Sequence, residues 1–138
     1  LQPGLKAVWH NFRGNLCVDI DAAPVRGEYV VESVSIPEEV KGDIGLVITG
    51  YLEVPADGIY TFALLSDDGS TLMLDGELLG DNDGAHSPVE IIVQKVLKAG
   101  LHPMEVRYFD CNGGVLQMEL VNDKGEKTVL PKEWLKHE

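Results

Sequence analysis

Apolar positions along this chain recur in short runs, with no sustained helical stripe. Runs rich in Val, Ile, Leu, Tyr and Thr are broken every few residues by Gly, Pro, Asn and Asp. That spacing predicts an all-β, antiparallel sandwich or barrel. Strands are expected near Leu5–Trp9, Tyr29–Ile36, Leu46–Val54, Gly58–Leu65, Thr71–Leu74, Val89–Leu97, Met104–Phe109, Val115–Val121 and Lys127–Leu130. Period-two alternation supports several of them. Leu116, Met118 and Leu120 face a core while Gln117 and Glu119 face water, and Met104, Val106 and Tyr108 alternate with Glu105 and Arg107. Asp75-Gly76 reads as a two-residue type I′ hairpin turn, which needs positive φ at both positions. Pro103 lacks a donor and belongs at a strand start or an edge. Leu16 to Glu28 reads as a long loop, and Pro131–Leu135 as one helical turn that docks Trp134 onto the sandwich. Helix content should stay below about 10%, against a globular average of roughly 30–35%.

Length and composition narrow this further. The 138 residues fit a single domain, 44% are hydrophobic, and a sizeable core is possible. No apolar run approaches the ~20 residues of a membrane span. The chain opens on Leu1-Gln2-Pro3-Gly4, without Met or a leader-like segment, and reads as a domain excised from a longer protein or a processed product. A net charge of −12 and a pI near 4.6 argue against nucleic acid, which needs clustered Lys and Arg. The acidic surface serves solubility and is compatible with calcium. Cys17 and Cys111 form no Cys-x-x-Cys motif; they read as two free, partly buried thiols in preference to a disulfide.

Three segments carry candidate chemistry. Ser66-Asp67-Asp68-Gly69-Ser70 places two aspartates side by side. Across a trans peptide in an extended chain their side chains diverge. A cis peptide would bring them together, at about 2.5–4 kcal/mol unless something compensates. A calcium ion held by both carboxylates is one such compensation, and an ordinary metal-free turn is the other reading. Asp81-Asn82-Asp83-Gly84 lacks the spacing of a helix–loop–helix calcium loop and reads as a turn capping backbone groups. Phe109-Asp110-Cys111-Asn112-Gly113-Gly114 is a tight loop able to offer neutral oxygen ligands, or simply a hairpin connection. His86 and His102 read as structural, and His10 and His137 have no informative context. There is no Gly-x-Ser-x-Gly, phosphate loop or zinc-protease helix, and nothing singles out two carboxylates across a cleft, so no catalytic residues are expected.

The run from Gly50 to Phe62, then Ser66–Ser70, Leu74-Asp75-Gly76, Asp81–Gly84 with His86, and Leu97–Pro103 leading into Tyr108-Phe109, resembles the PA14 domain family, as does the opening Gly4–Ala7. The resemblance spans nearly the whole chain and is weakest over residues 10–42. It implies a β-sandwich that serves as a non-catalytic accessory module of glycosidases, adhesins, proteases or toxins, placed outside the cell, on its surface or in the periplasm. Through the adhesin branch it implies calcium held by a cis-linked Asp67–Asp68 pair and Asn112, completed by carbonyls near Gly114 and Leu116, with sugar hydroxyls on the ion at Asp67, Asp68 and Asn112. The expected partners are a glycan or polysaccharide and other domains of the parent protein, which itself would be a glycan-active enzyme or surface protein. The toxin branch lacks the Asp pair, so the alternative is a structural module packed against a catalytic neighbour. The loop Cys111–Leu116 has no Trp or Tyr to stack on a sugar ring, which implies weak binding.

Overall fold

Among the described residues the alternating runs become twelve strands in two antiparallel sheets. In the computed structural model, which describes residues 1–111 and 113–138, 58% of residues lie in strands and 7% in helical turns, matching the expected class. The large sheet holds β1 (Gln2–Pro3), β2 (Leu5–His10), β3 (Val25–Val31), β4 (Ile44–Val54), β6 (Ser70–Leu74), β7 (Glu77–Asn82), β9 (Gly100–Asp110) and β12 (Leu135–His137). The small sheet runs β11-β10-β5-β8, from β11 (Lys127–Val129) and β10 (Val115–Val121) to β5 (Gly58–Asp67) and β8 (Val89–Leu97). The long strand β4 organises the large sheet. β9 pairs along its whole length on one side, while β2 and β12 share the other. They meet at Gly50, where a Cβ would run into Leu5 and the Lys136 carbonyl.

The period-two pattern is what fills the core. Leu46, Ile48 and Leu52 of β4, Val106 and Tyr108 of β9, and Leu72 and Leu74 of β6 point inward. They meet Phe62 and Leu64 of β5, Leu97 of β8, and Leu116 and Met118 of β10. The turn at Asp75 (φ +54°) and Gly76 (φ +77°) joins β6 to β7 with the expected positive dihedrals. Trp134, on a 3-10 turn at Lys132–Trp134, packs edge-on against Tyr60 at 5.8 Å.

Four sequence expectations need correction. The strand expected over Tyr29–Ile36 occupies Val25–Val31 instead, and residues 32–36 leave the sheet. Val34 and Ile36 still alternate inward, because that segment plugs the flank of the sandwich and buries apolar side chains without a ladder. The stretch read as a long loop contains a 3-10 helix at Cys17–Ala22 and the start of β3. Cys17 and Ile20, three residues apart and so on one face of such a helix, form a second cluster with Phe12 and Phe109 on the outer side of the large sheet. Pro103 lies inside β9 opposite Tyr51, just beyond the ladder that β6 makes with Met104–Tyr108. It is therefore an edge position on one side only. Both cysteines are free, as expected, but Cys17 is buried and Cys111 exposed.

Two outcomes are expected. Leu72→Ala, at a fully buried site, should lower unfolding free energy by about 2–5 kcal/mol in urea denaturation, whereas Val129→Thr on the surface should stay within about 0.5 kcal/mol. Burial, and next the hydrogen bond to Asp83, push the Cys17 thiol far up. Iodoacetamide at neutral pH should therefore alkylate Cys111 and spare Cys17 until the protein unfolds, as read by peptide mass spectrometry.

Candidate functional site

The two ladder registers bring two crossovers together. In the small sheet Val115 is paired with Asp67, and in the large sheet Ser70 is paired with Tyr108. The segment 67–70 that carries the chain from β5 to β6 therefore lies beside Asp110 and Gly114-Val115, the described ends of the connection from β9 to β10. Both change sheets at the same end of the sandwich. The peptide between Asp67 and Asp68 is cis. Carboxylate oxygens of Asp67, Asp68 and Asp110 all lie within 4.8 Å of one another, Asp110 buried and the other two half-buried.

The surroundings fix these groups in place. The Tyr108 hydroxyl donates to the Asp67 carbonyl at 2.6 Å, and the Phe109 N–H to the Gly69 carbonyl at 3.0 Å. The His86 N–H donates to Asp68 Oδ1 at 3.0 Å. Burial pushes the Tyr108 hydroxyl well above its ordinary range, and the negative charges of Asp110, Asp67 and Asp68 act in the same direction, so it remains a donor. Partial burial opposes charge on His86. Main-chain carbonyls of Asn82 and Ser87 at both ring nitrogens, each at 2.7 Å, and the charges of Asp68 and Asp67 raise its pKa overall. Behind the pair, Ser66 and Ser70 share a hydrogen bond of 2.6 Å, and the Asn82 amide bridges the Ser66 hydroxyl and the Val89 carbonyl. Backbone approach is close: a Cβ on Gly69 would lie 2.6 Å from the Gly84 carbonyl oxygen, and one on Gly114 would strike the Asp67 carbonyl and lie 2.7 Å from the Tyr108 hydroxyl.

Asp67 and Asp68 are brought together, and Gly114 lies directly against Asp67 and Asp110. Leu116 lies two residues further along β10, opposite Ser66, with its side chain in the core. Asn112 lies outside the described residues. Asp110 joins Asp67 and Asp68: it belongs to the loop segment Phe109–Gly114, and the paired crossovers bring the end of β9 to the Asp pair. The segment Asp81–Gly84, expected to be a turn, is only partly one: Asp81 and Asn82 end β7 opposite Thr71 and Ser70, and Asp83-Gly84 turn away from the sheet, with the expected capping made by the two aspartates. Asp81 accepts the Asp83 N–H, and Asp83 accepts the N–H groups of Cys17 and Gly84. His102 bridges Asp75 and the Lys98 carbonyl, a structural role.

Three carboxylates this close repel one another when all are ionised. Among the described residues no Lys or Arg forms an ion pair with Asp67 or Asp68. The donor set is hard, anionic and all oxygen, and so fits a hard divalent cation of the calcium type. A cavity of about 520 Å³ lies elsewhere, on the outer face of the large sheet around Lys6, Thr49, Tyr51 and Glu105, and shares no residue with the acidic cluster.

The model of the PA14 domain family matches residues 1–134, and the chain belongs to that family. Solved structures share its fold. The PA14 domain of the antifreeze protein MpAFP superposes with a TM-score of 0.82 at 18% identity, over 97% of this chain and 90% of that one. A PA14 sugar-binding domain from an RTX adhesin gives 0.82 at 18% identity, with both chains fully covered. The A domain of epithelial adhesin 6 from Candida glabrata, solved in complex with Galb1-3GlcNAc, gives 0.75 at 10% identity, over 99% of this chain and 88% of that one. No curated protein matches the sequence. Among the described residues no helix is long and apolar enough to cross a membrane.

Because Gly114 leaves no room for a side chain, Gly114→Ala should displace the loop from Asp67 and Asp110. The expected loss is about 1–3 kcal/mol of stability in chemical denaturation, and unchanged stability would mean that the loop shifts freely.

Proposed function

We propose that this domain is a non-catalytic, calcium-dependent glycan-binding module. The carrying observation is the convergence of Asp67, Asp68 and Asp110 at the paired crossovers. These three carboxylates would hold the cation, with the segment 111–114, Asn112 included, positioned in sequence to add neutral oxygens. Such an ion takes roughly 6–8 oxygen ligands and, when bound, offers open positions to vicinal sugar hydroxyls. The fold shared with sugar-binding adhesin domains supports this reading. With no aromatic residue in Gly113–Leu116 or at Cys111, affinity for a single sugar should be weak, about millimolar, or about −4 kcal/mol. The module would belong to a secreted or surface protein that acts on or adheres to glycans.

A second reading has its own observation. Ile59, Ile92, Val96 and Val129 stand exposed on the outer face of the small sheet. On that reading the domain packs this face against a neighbouring domain and binds nothing small.

Calcium at a hundredfold excess over its Kd should stabilise the fold by about 2.7 kcal/mol, a rise of roughly 8 °C in Tm. Asp68→Ala and Asp110→Asn should each remove the rise, and sugar binding with it. Equal melting in calcium and in chelator would leave the packing role as the better account.

A further inference from the structure

A cleft begins where the acidic cluster ends. Strand β11 covers only Glu119–Val121 of β10. Over Val115–Met118, β10 has β5 on one side and, among the described residues, no strand on the other. The segment Ser33–Ile36 runs along that open side. Between them lies a cleft of about 340 Å³, lined by Ser33–Ile36 on one wall and by Gly114–Glu119 with Val129 on the other. Its near end is Gly114, the residue pressed against Asp67, Tyr108 and Asp110. The cleft therefore starts beside the cluster, with Gly114 common to the cleft wall and to the contacts of Asp67 and Asp110.

The chemistry of the walls favours one occupant. Val34 is buried and Ile36 packs on the core, so Ser33 and Ser35 turn outward, their hydroxyls 3.0 Å apart. Gln117 is exposed on the facing wall. Every second residue of an edge strand also turns its N–H and C=O outward. Hydroxyl, amide and main-chain groups above apolar surface suit sugar rings, which have polar rims and apolar faces. Glu119 is among the lining residues and no Lys or Arg is, which disfavours anionic sugars. The volume is at the low end for ligand sites, roughly 300–1,000 Å³, enough for a short chain. An extended peptide adding to the edge is the competing occupant, but the open edge spans only Val115–Met118 before β11 closes it.

We propose that this cleft is a second subsite, holding the further residues of a neutral oligosaccharide whose first residue sits at Asp67, Asp68 and Asp110. The inference rests on the glycan-binding reading and names its ligand class: a chain rather than a single sugar.

The test is calorimetric titration in calcium with glucose, galactose and mannose, each alongside its neutral trisaccharide, with amide chemical shifts followed by NMR. At least one trisaccharide should bind about tenfold tighter than its monosaccharide and shift Ser33, Ser35 and Gln117. Ser35→Phe, which fills the cleft, and Gln117→Ala, on the exposed wall, should each cut that gain to within about twofold. Neither should change monosaccharide affinity or the calcium-induced rise in Tm. Equal affinity for both lengths, with shifts confined to residues 67–69 and 110–114, would overturn the subsite and leave the glycan reading standing. Displacement of the trisaccharide by no competitor but a strand-forming peptide, with sugars failing to shift Ser33 or Gln117, would overturn it in favour of edge pairing. Absence of any sugar or calcium response would remove the reading beneath it.

Discussion

The site depends on one constraint: two chain crossovers are held side by side by ladders in both sheets. β5 pairs with β10 in the small sheet and β6 with β9 in the large one, so the links from β5 to β6 and from β9 to β10 have no freedom to separate. That constraint places Asp67 and Asp68 against Asp110. The ladders hold them there, together with the core behind them, where Phe62, Leu64, Leu72 and Tyr108 are fully buried. Sequence, register and charge thus converge on one end of the sandwich.

The small cluster on the outer face of the large sheet contributes to the same end. Phe12 meets Phe109 edge to face at 5.9 Å, and Cys17 and Ile20 complete the contact. Phe109 immediately precedes Asp110 and donates its N–H to Gly69, beside the Asp pair. Anchoring the 3-10 helix therefore also anchors both crossovers. Gly69 and Gly114 are small for the same reason, since each lets backbone approach where a side chain would force the two loops apart.

Much of the fold was legible in the sequence, because period-two alternation and turn chemistry are local signals. The Asp75-Gly76 turn and the inward faces of β9 and β10 follow from neighbours in sequence. What was not legible depended on partners distant in the chain. Val34 and Ile36 alternate like strand residues, yet alternation reports burial and not hydrogen bonding, so a flank-plugging segment looked like sheet. Strands β1 and β12 are two and three residues long and exist only because the chain ends pair with each other and β12 with β4. Within the site, Asp67-Asp68 announced itself by adjacency. Asp110 looked like an ordinary loop residue, since its role comes from a register 43 positions away from Asp67.

The central claim is that the gathered carboxylates hold a cation. A high-resolution crystal structure grown in calcium tests it most directly. A single strong density peak is expected, with oxygens of Asp67, Asp68 and Asp110 at about 2.3–2.6 Å. Water alone between those carboxylates, in crystals containing millimolar calcium, would contradict it.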